Sequence, residues 1–248
     1  MELLKNKTVF ITGGSRGIGA AIAKTFAAKG ASVGFSYRSS HEAAAEVLND
    51  LKQFGQPCAS YVCHVSDPDQ VQQTMEAFLQ QFGRIDILVN NAGIVRDNLI
   101  CDISLTDWQE VLNTNLSAAH WHIQCALRNM IPNRSGNIIN ISSVVGVQGN
   151  VGQANYAASK AGLIALTKTV AREVGRRNIR CNTIVPGIID TEMSRSAHLD
   201  TEGYVKRNIA LRRLGTAEEV ADVALFLASD LSRYVTGQEI QVCGGFTY

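Results

Sequence analysis

This chain lacks a long apolar run, a surplus of charge and paired cysteines. No apolar stretch of its 248 residues approaches membrane-spanning length, and the opening MELLKNKTVFITGG is no charged-then-apolar leader with a cleavage site. A cytoplasmic protein that does not engage a membrane is the expectation. Lys and Arg number 23 against 22 Asp and Glu, a formal net charge of +1. That balance leaves no broad basic footprint, which argues against nucleic acid as a partner. The six cysteines, Cys58, Cys63, Cys101, Cys125, Cys181 and Cys243, form no C-x-x-C pair and read as reduced thiols. His120-Trp121-His122 with Cys125 does not make a metal site, because residues two apart point to different sides of a helix. No metal is expected. A linker is missing as well: there is no composition break, repeat or low-complexity tract.

What is present is alternation. Short β-branched runs at 8–12, 32–37, 59–65, 86–90, 137–142, 179–185 and 239–243 are separated by amphipathic stretches near 17–29, 41–54, 68–82, 106–131, 155–176 and 217–229. Strands alternating with helices predict an α/β fold: one Rossmann-like, doubly wound parallel sheet of about seven strands with helices on both faces. A dinucleotide-binding half, 1–135, and a catalytic and substrate half, 136–248, divide that single domain. Asp67-Pro68 reads as an N-cap with proline at the first helical position, and Thr216 with Glu219 as a capping box. The polar segment 190–215, just after a strand's carboxyl end, reads as a substrate-covering loop with a helical part.

Residues 12–19, TGGSRGIG, stand between the first strand and the first helix. Gly13, Gly17 and Gly19 permit a tight turn and a close approach of backbone to pyrophosphate at the helix N-terminus, with Ser15, Arg16 and Ile18 in the same loop. The second strand ends in Tyr37-Arg38-Ser39-Ser40, without the carboxylate that would hold a ribose 2′-hydroxyl. Arg38, helped by Arg16, suits a 2′-phosphate instead, so NADPH is the expected cofactor. In VGQANYAASKAG, Tyr156 and Lys160 lie at i and i+4 on one helical face among small residues, a phenol beside an ammonium.

TGGSRGIG, NNAG at 90–93, Asn115 in NTNL, Ser143 in ISSVVG, Tyr156-x-x-x-Lys160 and Pro186-Gly187 together resemble the short-chain dehydrogenase/reductase family over essentially the whole chain. Within it, GIVRDNLI, AREVGRRNIR and LGTAEEVADVALFLASD are most similar to the reductases of 3-oxoacyl chains on acyl-carrier protein in fatty acid synthesis. The resemblance implies that Tyr156 protonates the carbonyl, its pKa lowered by Lys160 and the oxidised nicotinamide. It implies that Ser143 binds the carbonyl, that Lys160 also holds the nicotinamide ribose, and that Asn115 helps hold a proton-supplying water chain. The spacing to the tyrosine selects Ser143; Ser142 is expected to bond backbone.

Further roles follow from the resemblance. Asn90, Asn91, Ala92 and Gly93 would line the adenosine half of the cofactor. Ile189 backbone and Thr191, after Pro186-Gly187, would bind the carboxamide. His64-Val65 stands where the family usually has Asp or Asn before Val at the adenine, and Cys243 replaces a usual Asn or Asp. Arg134, Arg176 and Arg177 match positions beside the active-site entrance that would dock an acidic carrier protein, and a homotetramer is expected. Three other readings stay open: a reductase of acetoacetyl-CoA or polyketide-type ketones, a sugar or steroid alcohol dehydrogenase, and a catalytically silent dinucleotide-binding regulator.

Overall fold

The computed structural model describes residues 2–195 and 201–246. Seven strands form one parallel sheet: β1 (Thr8–Thr12), β2 (Ser32–Tyr37), β3 (Cys58–Val62), β4 (Ile87–Asn90), β5 (Gly136–Ile141), β6 (Ile179–Pro186) and β7 (Glu239–Val242), in the order β3-β2-β1-β4-β5-β6-β7. The order reverses between β1 and β4, opening a crevice at the carboxyl ends where such sheets bind ligands. Register follows the apolar runs, with Val9 beside Val33 and Ile87.

Alternation along each strand feeds two cores. Val9, Ile11, Val33 and Phe35 meet α1 (Gly17–Ala28), α2 (His41–Lys52) and the late helix Ala217–Ala228 on one face. Phe10, Leu88 and Ile138 meet α3 (Pro68–Phe82) and two long helices on the other. The first of these begins as α4 (Leu105–Leu112), passes through a π-helical turn at Asn113–Ser117 and continues as α5 (Ala118–Asn133). After the short α6 (Val145–Gln148) comes the second, α7 (Ala154–Val174). Then follow α8 (Glu192–Arg195), α9 (Thr201–Asn208) and the late helix, α10. Both predicted caps form: Asp67 accepts from Asp69 and Gln70 N–H, and Thr216 and Glu219 close a capping box.

Two boundaries differ from expectation. The third strand stops at Val62, because the His64 N–H turns out of the ladder to Gln70 Oε1 (3.0 Å). The helix expected over 106–131 is interrupted by the π turn around Asn115. Segment 190–215 carries α8 and α9 as its helical part, and its residues 196–200 lie outside the described ones. Among the described residues all six cysteines are free, and no helix is long and apolar enough to cross a membrane.

Candidate active site

The glycine turn is built by neighbours rather than by glycine alone. Gly13 (φ +67°) and Gly17 (φ +54°) occupy the left-handed region that glycine adopts without strain. A Cβ on Gly19 would stand 2.3 Å from Gly13 O and 2.5 Å from Asn91 Nδ2, so only hydrogen fits there. Asn91 Nδ2 donates to Thr12 O (3.0 Å) and Gly13 O (2.9 Å). Thr12 Oγ1 in turn accepts from the N–H groups of Asn91 and Ala92, both at 3.0 Å. Asn91 and Thr12 thus clamp the turn, and the sequence had not singled out Thr12. No side chain caps the N-terminus of α1, whose N-cap is Arg16, and Ser15 is buried behind it while Ile18 packs on the core. Free N–H donors, the positive end of a helix and a cradle a side chain would fill are what a pyrophosphate requires.

Arg16 and Arg38 rim this cradle. Arg16 pairs with Glu192 at 3.0 Å and Arg38 stands 3.8 Å from Glu110, each guanidinium at least 60% exposed. These exposed pairs are weak and screened, so both arginines are available to a phosphate. His64 is held at Nδ1 by Ser66 Oγ (3.0 Å), and Val65 packs against the core. The Asn90 side chain is buried and donates to Asn140 Oδ1 (2.8 Å), inside a polar chain that continues through Thr167 and Thr183. Its side chain braces the end of β4, which leaves its backbone at the carboxyl edge of the sheet.

The reacting groups gather at the carboxyl ends of β4 and β5. Ser142 Oγ donates to Lys160 O (2.8 Å), the backbone bond expected of it. Ser143 stands next in the chain, accepts from Val145 N–H (3.2 Å) and is near enough to Tyr156 to favour its ionised form. Lys160 is buried, lies 5.7 Å over the Tyr156 ring and donates from Nζ to Ile141 O (2.9 Å). Gly93 lies against this lysine: a Cβ there would stand 3.4 Å from Lys160 Nζ and Asn115 Oδ1.

Asn115 is buried in the π turn; its Oδ1 accepts from Ile94 N–H (2.8 Å), and its Nδ2 donates to Ile94 O (3.0 Å) and Ser159 Oγ (3.1 Å). The side chain therefore fastens the loop after NNAG to the helix that carries the tyrosine. Asn155, which the sequence reading passed over, does similar work: it donates to Arg96 O (3.0 Å) and accepts from Tyr156 N–H (2.7 Å). A polar residue directly before the tyrosine, in the first turn of a helix, was the available signal.

In the chain alone, burial dominates the electrostatics of this pair. Burial pushes the Tyr156 phenol above its ordinary value, the Ser143 hydrogen bond opposes this, and the Asp97 carboxylate adds to the rise. Burial also lowers Lys160 to about 8. Within the chain itself the ammonium turns to the Ile141 carbonyl and does not bring the phenol down. Tyr156 is consequently a protonated donor at neutral pH.

Beyond β6, Pro186 O accepts from Val144 N–H (3.0 Å), which secures the serine loop. Gly187 lies against Cys243, where a Cβ would come within 2.8 Å of Cys243 Cα. Ile189 bridges Gly215 in parallel through its neighbours: Gly215 N–H donates to Ile188 O and Asp190 N–H to Gly215 O. The N–H and C=O of Ile189 itself are thereby aimed away from Gly215. Thr191 Cγ2 lies over Gly17, 3.5 Å from where a Cβ would be.

Arg134, Arg176 and Arg177 do come together. Arg134, left-handed at φ +48°, ends α5 and donates to Arg176 O (3.2 Å), and Asn178 Nδ2 donates to Arg134 O (3.3 Å). They mark one edge of the sheet. Strands β5 and β6 begin at Gly136 and Ile179, just after these arginines, so the cluster sits at the amino edge of the sheet. Tyr156 lies at the opposite end of α7, whose 21 residues span about 31 Å. Within one chain the arginines do not flank the tyrosine.

A doubly wound parallel sheet with a glycine turn at its crossover and a Ser-Tyr-Lys group beside it defines a dinucleotide-dependent oxidoreductase. The comparisons sharpen this. The family profile described as Enoyl-(Acyl carrier protein) reductase matches residues 13–247. The 3-oxoacyl-acyl-carrier-protein reductase FabG of Chlamydia trachomatis is 46% identical over 98% of both chains. That of Staphylococcus epidermidis is 41% identical over 97% of this chain and 98% of its own. A short-chain dehydrogenase of Burkholderia cenocepacia in complex with NADP superposes with a TM-score of 0.92 at 35% identity, covering 98% of each chain. A blue fluorescent protein from a metagenomic library in complex with NADPH gives 0.94 at 37%, covering 99% of this chain and all of that one. The chain belongs to the short-chain dehydrogenase/reductase family.

Proposed function

We propose that this protein reduces 3-oxoacyl-acyl-carrier protein to the 3-hydroxyacyl form with NADPH, as a step of fatty acid synthesis. The observation that carries the reading is the Lys160 ammonium 5.7 Å over the Tyr156 ring, with Ser143 near the phenol, in a fold whose glycine turn opens an uncapped helix. Gly13, Ser15, Gly17, Ile18 and Gly19 hold the pyrophosphate, Arg16 and Arg38 the 2′-phosphate, and His64, Val65, the Asn90 backbone, Asn91, Ala92 and Gly93 the adenosine side. Pro186, Gly187, Ile189 and Thr191 receive the carboxamide. Bound NADPH supplies the hydride that reaches the 3-oxo carbon.

The rest is done by the chain. Ser143 donates a hydrogen bond to the 3-oxo oxygen, orienting and polarising it. Tyr156 gives that oxygen its proton, so the carbonyl becomes a hydroxyl and the phenol a phenolate. Lys160 stabilises the phenolate while a proton returns, and Asn115 keeps the surrounding backbone in place. Residues 1–135 make the dinucleotide half and 136–248 the catalytic half. Arg134, Arg176 and Arg177 dock the acidic carrier protein. The protein works as a homotetramer in the cytoplasm.

The test is Tyr156→Phe. NADPH binding followed by fluorescence should survive, while turnover of acetoacetyl-acyl-carrier protein should fall by about a hundredfold or more. Unchanged turnover would overturn the reading.

A further inference from the structure

The loop that follows NNAG is joined to the segment leading into the tyrosine helix by three successive rungs. Asn155 Nδ2 donates to Arg96 O (3.0 Å), Gln153 Nε2 to both oxygens of Asp97 (3.1 and 3.0 Å), and Asn98 N–H to Gly152 O (2.8 Å). Of these rungs the middle one alone joins two side chains. Asn150 Nδ2 donates to Gln153 Oε1 (2.9 Å), so the Gln153 amide is turned with its N–H groups toward Asp97. Gln153 is the N-cap of α7, and Tyr156 stands three residues on, on the same side of the helix. The seam therefore fixes a carboxylate beside the helical turn that carries the reacting phenol.

That carboxylate is not neutralised. Among the described residues no cation forms an ion pair with Asp97. Its neighbour Arg96 is engaged elsewhere: Nε and Nη2 donate to the two oxygens of Glu110 on α4 (3.1 and 3.2 Å), and Asp107 lies 3.9 Å away. Gln153 holds Asp97 through neutral N–H groups, which fix a charge without cancelling it. Lys160 lies over the phenol ring and turns its ammonium to Ile141 O. The π turn, α6 and the carboxyl ends of β5 and β6 also pack against α7, and they bring no charged side chain. A negative charge left standing at this place disfavours a phenolate, and the Asp97 carboxylate does add to the rise that burial gives Tyr156.

We propose that Asp97, clamped by Gln153 and left without a cation, keeps Tyr156 in its proton-donating form to higher pH, which sustains reduction of the ketone and slows the reverse oxidation of the alcohol. This rests on the proposed role of Tyr156 as proton donor. Asp97 acts through the tyrosine, as a positioning residue for the proton.

Asp97→Asn tests it, because it removes the charge and keeps an oxygen for Gln153. With tyrosines isotope-labelled at Cζ, the Tyr156 signal is the one missing from Tyr156→Phe, and NMR follows its titration in the protein without cofactor. The midpoint should move down by about half a unit in Asp97→Asn. Oxidation of 3-hydroxybutyryl-CoA, in which the phenolate takes the hydroxyl proton and NADP takes the hydride, should then quicken about threefold at pH 7. An unmoved midpoint in the folded variant would overturn the inference. If KM rises while the midpoint stays, Asp97 is a substrate contact instead; if the urea midpoint falls while the titration stays, the seam is only structural. Either result would also overturn it. Should Asp97→Asn fail to fold, Asp97→Ser is read against the same outcomes. A wild-type protein that turns over neither ester in either direction, with the titration shift intact, would strike the reading of the reaction and not the action of Asp97 on the phenol.

Discussion

His122 provides a quantitative check on the core that carries the site. The ring is fully buried on α5, lies over Phe10 with centroids 5.9 Å apart, and donates from Nδ1 to Ala118 O at 2.7 Å. A carbonyl only accepts, so the proton is on Nδ1 and Nε2 is a bare acceptor, which has no partner. Burial lowers the pKa from 6.5 to about 4. The unfolded chain takes up a proton near 6.5, the folded chain only near 4, so the unfolded state binds more protons in that window and stability falls as pH falls through it. A gap of about 2.5 units is worth about 3.4 kcal/mol, of which about 2 kcal/mol is lost by pH 5. His122→Phe keeps a ring over Phe10 and removes the titration. Urea unfolding at fixed protein concentration, at pH 7.5 and at pH 5, should show the stability difference between the two proteins shifting by about 2 kcal/mol toward the variant. Parallel pH dependences would refute the argument.

Four shorter predictions concern the site. Gly19→Ala should weaken NADPH binding about tenfold or more in a fluorescence titration, since its Cβ displaces the Gly13 carbonyl; an unchanged Kd would show that the turn plays no part. Ser143→Ala should lower kcat by about a hundredfold or more, whereas Ser142→Ala should mainly lower stability, by about 1 kcal/mol, measured as the urea midpoint. Because Lys160 loses its proton near 8 and the Tyr156 phenol titrates above its ordinary value, kcat/KM for reduction should be level at neutral pH and fall as pH rises past about 8. Arg38→Ala should erase most of the preference for NADPH over NADH, read as the ratio of the two kcat/KM values.

Much of this was legible in the chain because the physics was local. Apolar β-branched runs set apart by amphipathic stretches gave the strands and the winding, and TGGSRGIG and Tyr156-x-x-x-Lys160 carried their chemistry in their spacing. What escaped depended on partners remote in sequence. Nothing local showed that Asn115 would reach Ile94 across 21 residues, and the π turn holding it went unread. That the Asn90 side chain would be taken up by Asn140 on the adjacent strand was likewise invisible in the motif. That burial raises the Tyr156 pKa in the chain alone is a property of the assembled fold and could not be read from the spacing. Arg134 and Arg176 were correctly put at helix ends, but which edge of the sheet those ends occupy is settled only by the strands that follow them.

The most direct measurement follows NADPH absorbance with acetoacetyl-acyl-carrier protein and acetoacetyl-CoA side by side. The account predicts turnover of the carrier ester, preferred over the CoA ester, with a preference that weakens as salt screens the arginines. No turnover of either ester by protein that binds NADPH would contradict it.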